Sequence, residues 1–530
     1  MDKDLPKNSK IIGTLCLNNK TIMGLTTKKV PMRLFIPSNK NYPSFIVATK
    51  RKYQTTNVYA VIKFKLWKDK YPIGELVDLI GNVDDINAEL EYIRYKNNIR
   101  WKTLKKFNHN LYTDDLTPNR KKINELIVSI DPIGCKDIDD ALHYKEYENK
   151  IEIGVHIADP TSFIPSNSTL DNELYKRSES TYLSNKQYNM MPNIFSFDKC
   201  SLIEKKERRS FSCIFTFDLN MNIINVNFTK SLITVSHNLS YEKADKIIKS
   251  NKTHPLAISL IGLYNSAKVL IPNYGKQFDY NDYDIHKMVE VFMVMTNVKV
   301  AEYLIKNNIN IPLRIHKNSI NMEENKNVPK NIVKLSNMYN MQKAKYTTDL
   351  NYTYHQSLGH KYYTHFTSPI RRYIDQIIHR KLYNLISNND TEINNLENIC
   401  LHINTIHDNS KKAGRESDRV GLAHQLYTKG ETTLETDGYI IDINEKVLLI
   451  HIPKFNIEIN CKIFSDKLDN IVNYTVQYNK IILINNDNEL TLSLYQKVKL
   501  YIVTIIKEHD IYRKLQVQLI EPNIQKLFSL

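Results

Sequence analysis

Between residues 131 and 140 the chain reads Asp131-Pro132-Ile133-Gly134-Cys135-Lys136-Asp137-Ile138-Asp139-Asp140. Four carboxylates, those of Asp131, Asp137, Asp139 and Asp140, fall within ten residues. Such crowding is electrostatically costly unless a cation sits among them, because neighbouring like charges oppose one another's ionisation. An all-oxygen donor set suits Mg²⁺ or Mn²⁺ and disfavours zinc. Two such ions about 3.5–4 Å apart can activate a water and stabilise the leaving oxygen of a phosphodiester. A solvated acidic turn or a calcium loop is the alternative reading of the spacing alone. The EF-hand pattern is absent, since it wants a glutamate at the twelfth position, where this loop has Leu142.

Carboxylates can be held this close only by rigid elements on either side. "LIVSI" (126–130) precedes the loop and "IEIGVHI" (151–157) follows it, both rich in β-branched residues and both predicted strands. "SFSCIFTFDL" (210–219) and "INVNFTKSLITVS" (224–236) read as further strands. The period then changes: Met288, Val291, Phe292, Met295, Val298 and Ile305 follow a helical course with one polar break at Glu302. "IRRYIDQIIHRKLYNLI" (370–386) repeats it with Ile374, Ile377, Ile378, Leu382 and Leu385. These elements predict a mixed catalytic domain over 119–425. Upstream, "RLFIPS" (33–38), "SFIVAT" (44–49) and "VYAVIKFKLW" (58–67) alternate like barrel strands, residues 84–99 look helical, and Lys102, Lys105 and Lys106 form a small basic cluster. Downstream, short apolar runs such as "DGYIIDI", "KVLLIHI", "KIILIN" and "LTLSL" recur at regular spacing. The expected architecture is α+β and multidomain: OB-like β-barrels over 10–100 and 429–525 flank the central mixed domain.

The 530 residues carry 73 Lys and Arg against 57 Asp and Glu, a net charge of +16 that makes a polyanion the first partner to consider. A solvated surface in a Lys-rich proteome is the alternative. With 13 Gly and 17 Pro the collagen-like and Gly/Pro-rich disordered classes are excluded, and 33 Tyr are more than a disordered chain would carry. Cys16, Cys135, Cys200, Cys213, Cys400 and Cys461 are scattered without a CxxC pair, which argues against a disulfide framework or zinc knuckle and fits a reducing compartment. "MDKDLPKNSK" lacks a signal-peptide core, and no run of about 18 apolar residues exists. An intracellular protein, cytoplasmic or nuclear and without a membrane span, is expected.

"SIDPIGCKDIDDAL" (129–142) resembles the signature of the ribonuclease II/ribonuclease R family. The resemblance continues in order through "IGVHIADPTSFI" (153–164) with "LDNELYKRSESTYL" (170–183), "MMPNIFSFDKCSL" (190–202), "VEVFMVMTNVKVAEYL" (289–304) and "YYTHFTSPIRRYIDQIIHR" (362–380). It covers nearly the whole chain. "NYPSFIVATKR" (41–51) and "VIKFKLWKDKYPIGELVDLIGNVDD" (61–85) look like the second cold-shock-type barrel of the eukaryotic exosome exonuclease. Too few residues precede it for that subunit's nuclease-like N-terminal domain, so endonuclease activity and docking to the exosome ring are not expected.

The resemblance implies hydrolytic degradation of single-stranded RNA from the 3′ end to nucleoside 5′-monophosphates, by a monomer, with Mg²⁺ as cofactor and Mn²⁺ able to serve. It makes Asp131, Asp137, Asp139 and Asp140 the metal ligands, with Asp139 the most sensitive. Arg371, in "TSPIRRY", takes the place of the family's transition-state arginine, since a guanidinium can hold two phosphate oxygens. Arg372 is a second RNA contact. Tyr182, in "STYL", matches a tyrosine that stacks near the last nucleotides. Glu416, in "KKAGRESDR", stands where the family recognises a ribose hydroxyl; an exposed helical glutamate is the alternative. His156 and His365 read as structural hydrogen-bonding residues. "TKRK" (49–52) and "KKERR" (205–209) are basic enough to meet phosphates or to be solvated faces. A non-catalytic RNA-binding protein on the same scaffold and a DNA exonuclease are the competing readings.

Overall fold

In the N-terminal region, β-branched and aromatic runs form β1 Lys10–Leu15, β2 Gly24–Leu25, β3 Pro31–Pro37, β4 Phe45–Ala48, β5 Val58–Leu66 and β6 Ile73–Asn82. The computed structural model describes residues 10–67, 69–101, 115–117, 119–250, 253–275, 283–316, 329, 332, 343–389, 395–431, 433–444, 447–463, 473–477, 480–485, 488–504 and 515–524. The strands bond in the order β1-β5-β6-β4-β3-β2, and β1 also pairs with β3, which curls the sheet on itself. Leu15, Phe35, Phe45, Val47, Ala60 and Ile62 fill its interior. Gly13 is required where β1 crosses β3, because a Cβ there would meet the Ile36 carbonyl oxygen at 2.2 Å. Helix α1, Ile86–Lys96, starts where the Asp85 side chain accepts from Asn87 N, and packs Tyr92 on Tyr59. The basic cluster at Lys102, Lys105 and Lys106 lies outside the described residues.

The central region contains β7 Lys121–Asp131, β8 Asp140–Tyr147, β9 Lys150–Ala158, α2 Thr169–Arg177, β10 Thr181–Leu183, β11 Lys186–Tyr188, β12 Glu207–Phe217 and β13 Ile223–Ser240. After them come α3 Tyr241–Lys249, α4 Pro255–Tyr274, α5 Ile285–Lys306, β14 Leu313–Ile315, β15 Lys345–Thr347, α6 Tyr373–Ile386 and α7 Leu396–Thr428. The pattern predicted strands here but not that they close into a barrel of their own, in the order β12-β13-β7-β8-β9. Closure depends on the 18-residue β13, which pairs antiparallel with β12 up to Thr234 and parallel with β7 from Ser231 to Ser240, with two irregularities along the second pairing. A long strand with bulges can turn from one neighbour to the next.

The α5 positions predicted to face inward, from Met288 to Val298, are buried. Val289, Val294, Val300 and Ala301 are buried too, because α5 lies between the barrel, α4 and α6 rather than on the surface. Helix α6 begins at Tyr373, three residues later than its periodicity suggested, since the segment ahead of it is a turn. Helix α4 is long and apolar enough to cross a membrane by composition, but here it buries Leu260, Leu263, Ala267 and Leu270 in the core it shares with α5.

The C-terminal region holds β16 Thr433–Asn444, β17 Val447–Ile452, β18 Ile457–Lys462, β19 Asn473–Gln477, β20 Lys480–Asn485, β21 Asn488–Ser493, β22 Lys497–Thr504 and β23 Leu515–Glu521. A five-stranded sheet, β18-β17-β16-β22-β23, and a three-stranded one, β19-β20-β21, share a core of Ile440, Ile450, Ile481, Leu483 and Leu500.

One charged knot ties the central barrel together. Asp159, fully buried at the end of β9, accepts from Arg120 Nη2 at 2.8 Å, Lys230 Nζ at 2.9 Å and Thr161 Oγ1 at 2.7 Å. Arg120 also donates to the carbonyls of Ser210 on β12 and Ser231 on β13. Burial alone would push the Asp159 carboxyl up, but Lys230, His379 and Arg120 outweigh it and hold the group well below the ordinary carboxylate range. Removing one member of a buried ion pair leaves the others uncompensated, at about 3–5 kcal/mol. Asp159→Ala is therefore expected to lower stability by about that amount, read as the shift of the urea unfolding midpoint against wild type; a shift under about 1 kcal/mol would show the knot to be dispensable.

Candidate active site

Asp131 ends β7 and Asp140 begins β8, so two of the four carboxylates stand on the barrel itself. The two strands pair only through Val128 and Leu142, and their site-facing ends are splayed. Gly134, at φ 83°, lets the intervening loop turn sharply enough for Cys135 N to reach the Pro132 carbonyl at 3.1 Å. The rest of the loop is pinned. Ile138 N donates to Ser201 Oγ at 3.1 Å, Ser201 Oγ donates to the Lys136 carbonyl at 2.8 Å, and Ala158 N donates to the Asp139 carbonyl at 2.8 Å.

The turn ahead of α6 closes over this loop. Ile370 N donates to Asp139 Oδ1 at 2.9 Å and Arg371 Nε to Asp139 Oδ2 at 3.3 Å. Arg371 Nη2 donates to Ser368 Oγ at 3.0 Å, yet the Arg371 side chain is 44 % exposed while that of Asp139 is only 5 % exposed. The guanidinium thus touches the acidic loop and still offers a face to an incoming phosphate. Arg372, expected as a second RNA contact, donates from Nε and Nη2, each at 2.9 Å, to buried Asp375, whose Oδ1 also accepts from Ser368 N, so it braces the turn.

Burial pushes Asp131 up to about 6 and Asp139 up to about 7, the latter against the pull of Arg371 and the Ile370 N–H. Asp140 is driven well above the carboxylate range by burial and by Asp131 and Asp139 beside it. Asp131 Oδ2 is buried without a hydrogen-bond partner. Oxygen-only donors, mutual repulsion and an orphaned buried oxygen fit a hard divalent cation. Among the described residues no three Asp, Glu, His or Cys side chains are already gathered into a chelate. Asp139 is engaged by Arg371 and Ile370, and a cation would draw the set together.

Tyr182, on β10, is 48 % exposed and within electrostatic reach of Arg371, Asp137 and Asp139, so it stands at the site as expected. Glu416 has other partners in this structure. Its Oε2 accepts from Asn97 Nδ2 at 3.1 Å and its Oε1 is bonded to Lys96 Nζ, so the carboxylate joins α7 to α1 instead of facing the acidic loop. His156 bridges His143 and Ser212, and His365 Nδ1 meets the Tyr346 hydroxyl, both structural as read. In the 205–209 patch, Lys206 and Arg208 pair with Asp198, Lys205 pairs with Glu204 and Arg209 covers Phe163, whereas Lys50, Arg51 and Lys52 are exposed.

One residue escaped the sequence reading. Tyr241 follows Ser240, which is opposite Asp131 in the β13–β7 register, and its hydroxyl lies within reach of Asp140 and Asp131. Its ring stacks on His286 at 3.9 Å. Only the parallel pairing of β13 with β7, invisible in local pattern, places it there.

Comparison with known proteins follows this geometry. The RNB domain matches residues 120–388, and the Dis3-like cold-shock domain 2 matches residues 32–98. The probable exosome complex exonuclease RRP44 of Caenorhabditis elegans is 28 % identical over 85 % of this chain and 55 % of its own length. The human exosome complex exonuclease RRP44 is 27 % identical over 99 % of this chain and 62 % of its own. Ribonuclease R of Chlamydia trachomatis is 25 % identical over 64 % of this chain and 58 % of its own. The chain thus spans between 55 % and 62 % of the length of these relatives. Mycoplasma genitalium RNase R, solved with ribose-methylated single-stranded RNA, shares the fold at a TM-score of 0.80 and 19 % identity, over 97 % of this chain and 90 % of its own. Yeast Ssd1, a pseudonuclease, shares it at 0.74 and 18 %, over 98 % and 84 %.

If these carboxyls hold a cation, their raised pKa makes its binding proton-linked. Below about 7 Asp139 takes up a proton, and Asp131 does so near 6, so a ligand charge is lost as the pH falls. Titration calorimetry with Mn²⁺ in buffers of different ionisation enthalpy is expected to show proton release near pH 6.5. Affinity should fall about tenfold or more from pH 8 to pH 5.5. A pH-independent affinity without proton release would remove these carboxylates from the ligand set.

Proposed function

This chain belongs to the RNB domain family, and on that premise we propose that it is a divalent-metal-dependent exoribonuclease that hydrolyses single-stranded RNA from the 3′ end to nucleoside 5′-monophosphates. The observation that carries the reading is the buried Asp139 of the acidic loop with an open guanidinium against it: Arg371 Nε on Asp139 Oδ2, with the arginine side chain 44 % exposed. In this reading the chain divides into barrels at 10–100 and 429–525 around a catalytic domain at 119–425.

Asp131, Asp137, Asp139 and Asp140 would hold Mg²⁺, with Mn²⁺ able to replace it. When bound, the metal supplies Lewis acidity toward the phosphoryl oxygen and lowers the pKa of a water. The chain's own residues do the rest. Asp139 orients Arg371 through the Nε contact, leaving the remaining guanidinium edge to meet the non-bridging phosphate oxygens as charge develops on them. Arg372 and Asp375 keep that turn from yielding under the load of a dianionic centre. Tyr182 presents a ring beside the loop on which a terminal base can stack, an interaction tolerant of sequence. Exposed Lys50, Arg51 and Lys52 on the N-terminal barrel add phosphate attraction upstream. Relatives named as exonucleases and as ribonuclease R, and an RNase R solved with RNA, support the substrate class. A non-catalytic RNA-binding role, as the pseudonuclease with this fold suggests, has the complete set of four aspartates and Arg371 against it.

The direct test is purified protein with Mg²⁺ and a 5′-labelled single-stranded RNA, which should give a ladder shortening from the 3′ end and mononucleotide product. Asp139→Asn is expected to slow cleavage about 100-fold or more while RNA affinity stays within about twofold, because the barrels and basic surface are untouched. A variant that still cleaves within threefold of wild type would sink the assignment. Tyr182→Ala removes a stacking contact of about 1–3 kcal/mol and should leave a longer limit product with early turnover little changed. An unaltered ladder would take the role from Tyr182.

A further inference from the structure

The β10–β11 hairpin forms a two-stranded sheet of its own, with Tyr182 opposite Gln187. Its base is tied to the catalytic domain, since Ser180 N donates to the Arg371 carbonyl at 2.9 Å and Met190 N to Ser180 Oγ at 2.9 Å. Beyond that base the two faces have different owners. Side chains alternate across a strand, so Lys186 and Tyr188 point one way and Gln187, with Tyr182 across from it, the other. The Tyr182 and Gln187 face looks at the acidic loop: Gln187 Nε2 donates to Asp137 Oδ2 at 3.3 Å, and Tyr182 lies within reach of Arg371.

The opposite face is gripped by the N-terminal barrel's helix. Glu91 Oε1 accepts from Lys186 Nζ at 2.5 Å and from the Tyr188 hydroxyl at 2.7 Å, while Glu91 Oε2 accepts from Arg94 Nε at 2.8 Å. Leu90 and Ile93 of α1 pack with Leu183 and Tyr188 beneath these bonds, in one cluster with Ala413 and Val420 of α7. The hydrogen bonds from Lys186, Tyr188 and Arg94 outweigh the burial that would push the Glu91 carboxyl up, and hold it below its usual range. One carboxylate that accepts from both ends of a three-residue strand fixes that strand's roll, and roll decides where the alternate side chains point.

We propose that Glu91 is a positioning residue: through Lys186 and Tyr188, helix α1 of the N-terminal barrel sets how Tyr182 and Gln187 stand over the acidic loop. The barrel then governs the handling of the last nucleotides, and hence the length of the final product, in addition to capturing RNA. This inference rests on the exoribonuclease reading. A carboxylate that merely bolts two domains together would show itself instead as lost stability or weaker capture of long RNA.

The test uses the full chain and compares wild type with Glu91→Ala and Glu91→Gln. It reads the thermal unfolding midpoint, kcat and KM on a long single-stranded RNA, turnover of an RNA of about five nucleotides, and the limit product. Glu91→Ala is expected to lengthen the limit product by at least one nucleotide and to slow short-RNA turnover about fivefold, with KM for long RNA within about twofold. Glu91→Gln keeps one acceptor oxygen, which can take both hairpin bonds from Lys186 and Tyr188 while the amide NH2 replaces the acceptor facing Arg94, and should recover at least half of the loss. Combined with Tyr182→Ala, Glu91→Ala should add little, because both act through one ring. Should Glu91→Ala fail to fold, Tyr188→Phe with Lys186→Met tests the same grip from the hairpin side. A wild type that shortens RNA while Glu91→Ala leaves the same limit product overturns the positioning role alone, as does full additivity with Tyr182→Ala. A wild type that does not shorten RNA overturns the exoribonuclease reading and this inference together.

Discussion

Carboxylates packed beside one another in a low-dielectric pocket cannot all stay charged without a compensating cation, and the architecture of this chain is organised around that constraint. Asp139 is buried and Asp140 half-buried, Asp131 keeps an oxygen without a partner, and desolvation raises the pKa of all three. A flexible loop would relieve the repulsion by moving apart. Here it cannot, because Ile138 is bonded to Ser201 and the Asp139 carbonyl to Ala158. The unpaired charge is thereby held beside Arg371, whose guanidinium touches Asp139 and still faces solvent.

Holding such a loop requires a frame stiffer than the repulsion it resists. The closed five-stranded barrel supplies it, and Asp159 with Arg120 and Lys230 locks β9, β12 and β13 at the same end. Two aspartates of this domain therefore show opposite behaviour for one physical reason. Asp159 is surrounded by cations that outweigh its burial and hold it well below the carboxylate range, whereas Asp140 is driven above it by burial, with Asp131 and Asp139 beside it adding to the rise.

The N-terminal barrel is not a loosely tethered accessory. Its helix α1 reaches the central domain at two points, Glu91 on the β10–β11 hairpin and Lys96 with Asn97 on Glu416 of α7, with an apolar seam between them. The hairpin stands between the acidic loop and that helix, so a rotation of the barrel would be felt at Tyr182. Individually exposed ion pairs contribute little to stability; the apolar seam beneath them is what makes the contact a fixed joint.

Local chemistry was legible in the sequence wherever function is written in contiguous residues. The spacing from Asp131 to Asp140, the strands on either side, the inward face of α5 and the structural character of His156 and His365 follow from residue type and period, which local backbone geometry enforces on its own. What required the tertiary structure is every relation between segments far apart in the chain. Arg371 and Arg372 are neighbours with the same side chain, and only the positions of Asp139 and Asp375 turn one toward the acidic loop and the other into a brace. Glu416 is polar and helical in either role, and only the approach of α1 turns it toward Lys96 and Asn97. Tyr241 carries no signal in its own neighbourhood, because its nearness to Asp131 is created by a parallel pairing of strands that lie about a hundred residues apart. Pairings of that kind are set by how whole strands and helices pack, a global property that no short window of sequence contains.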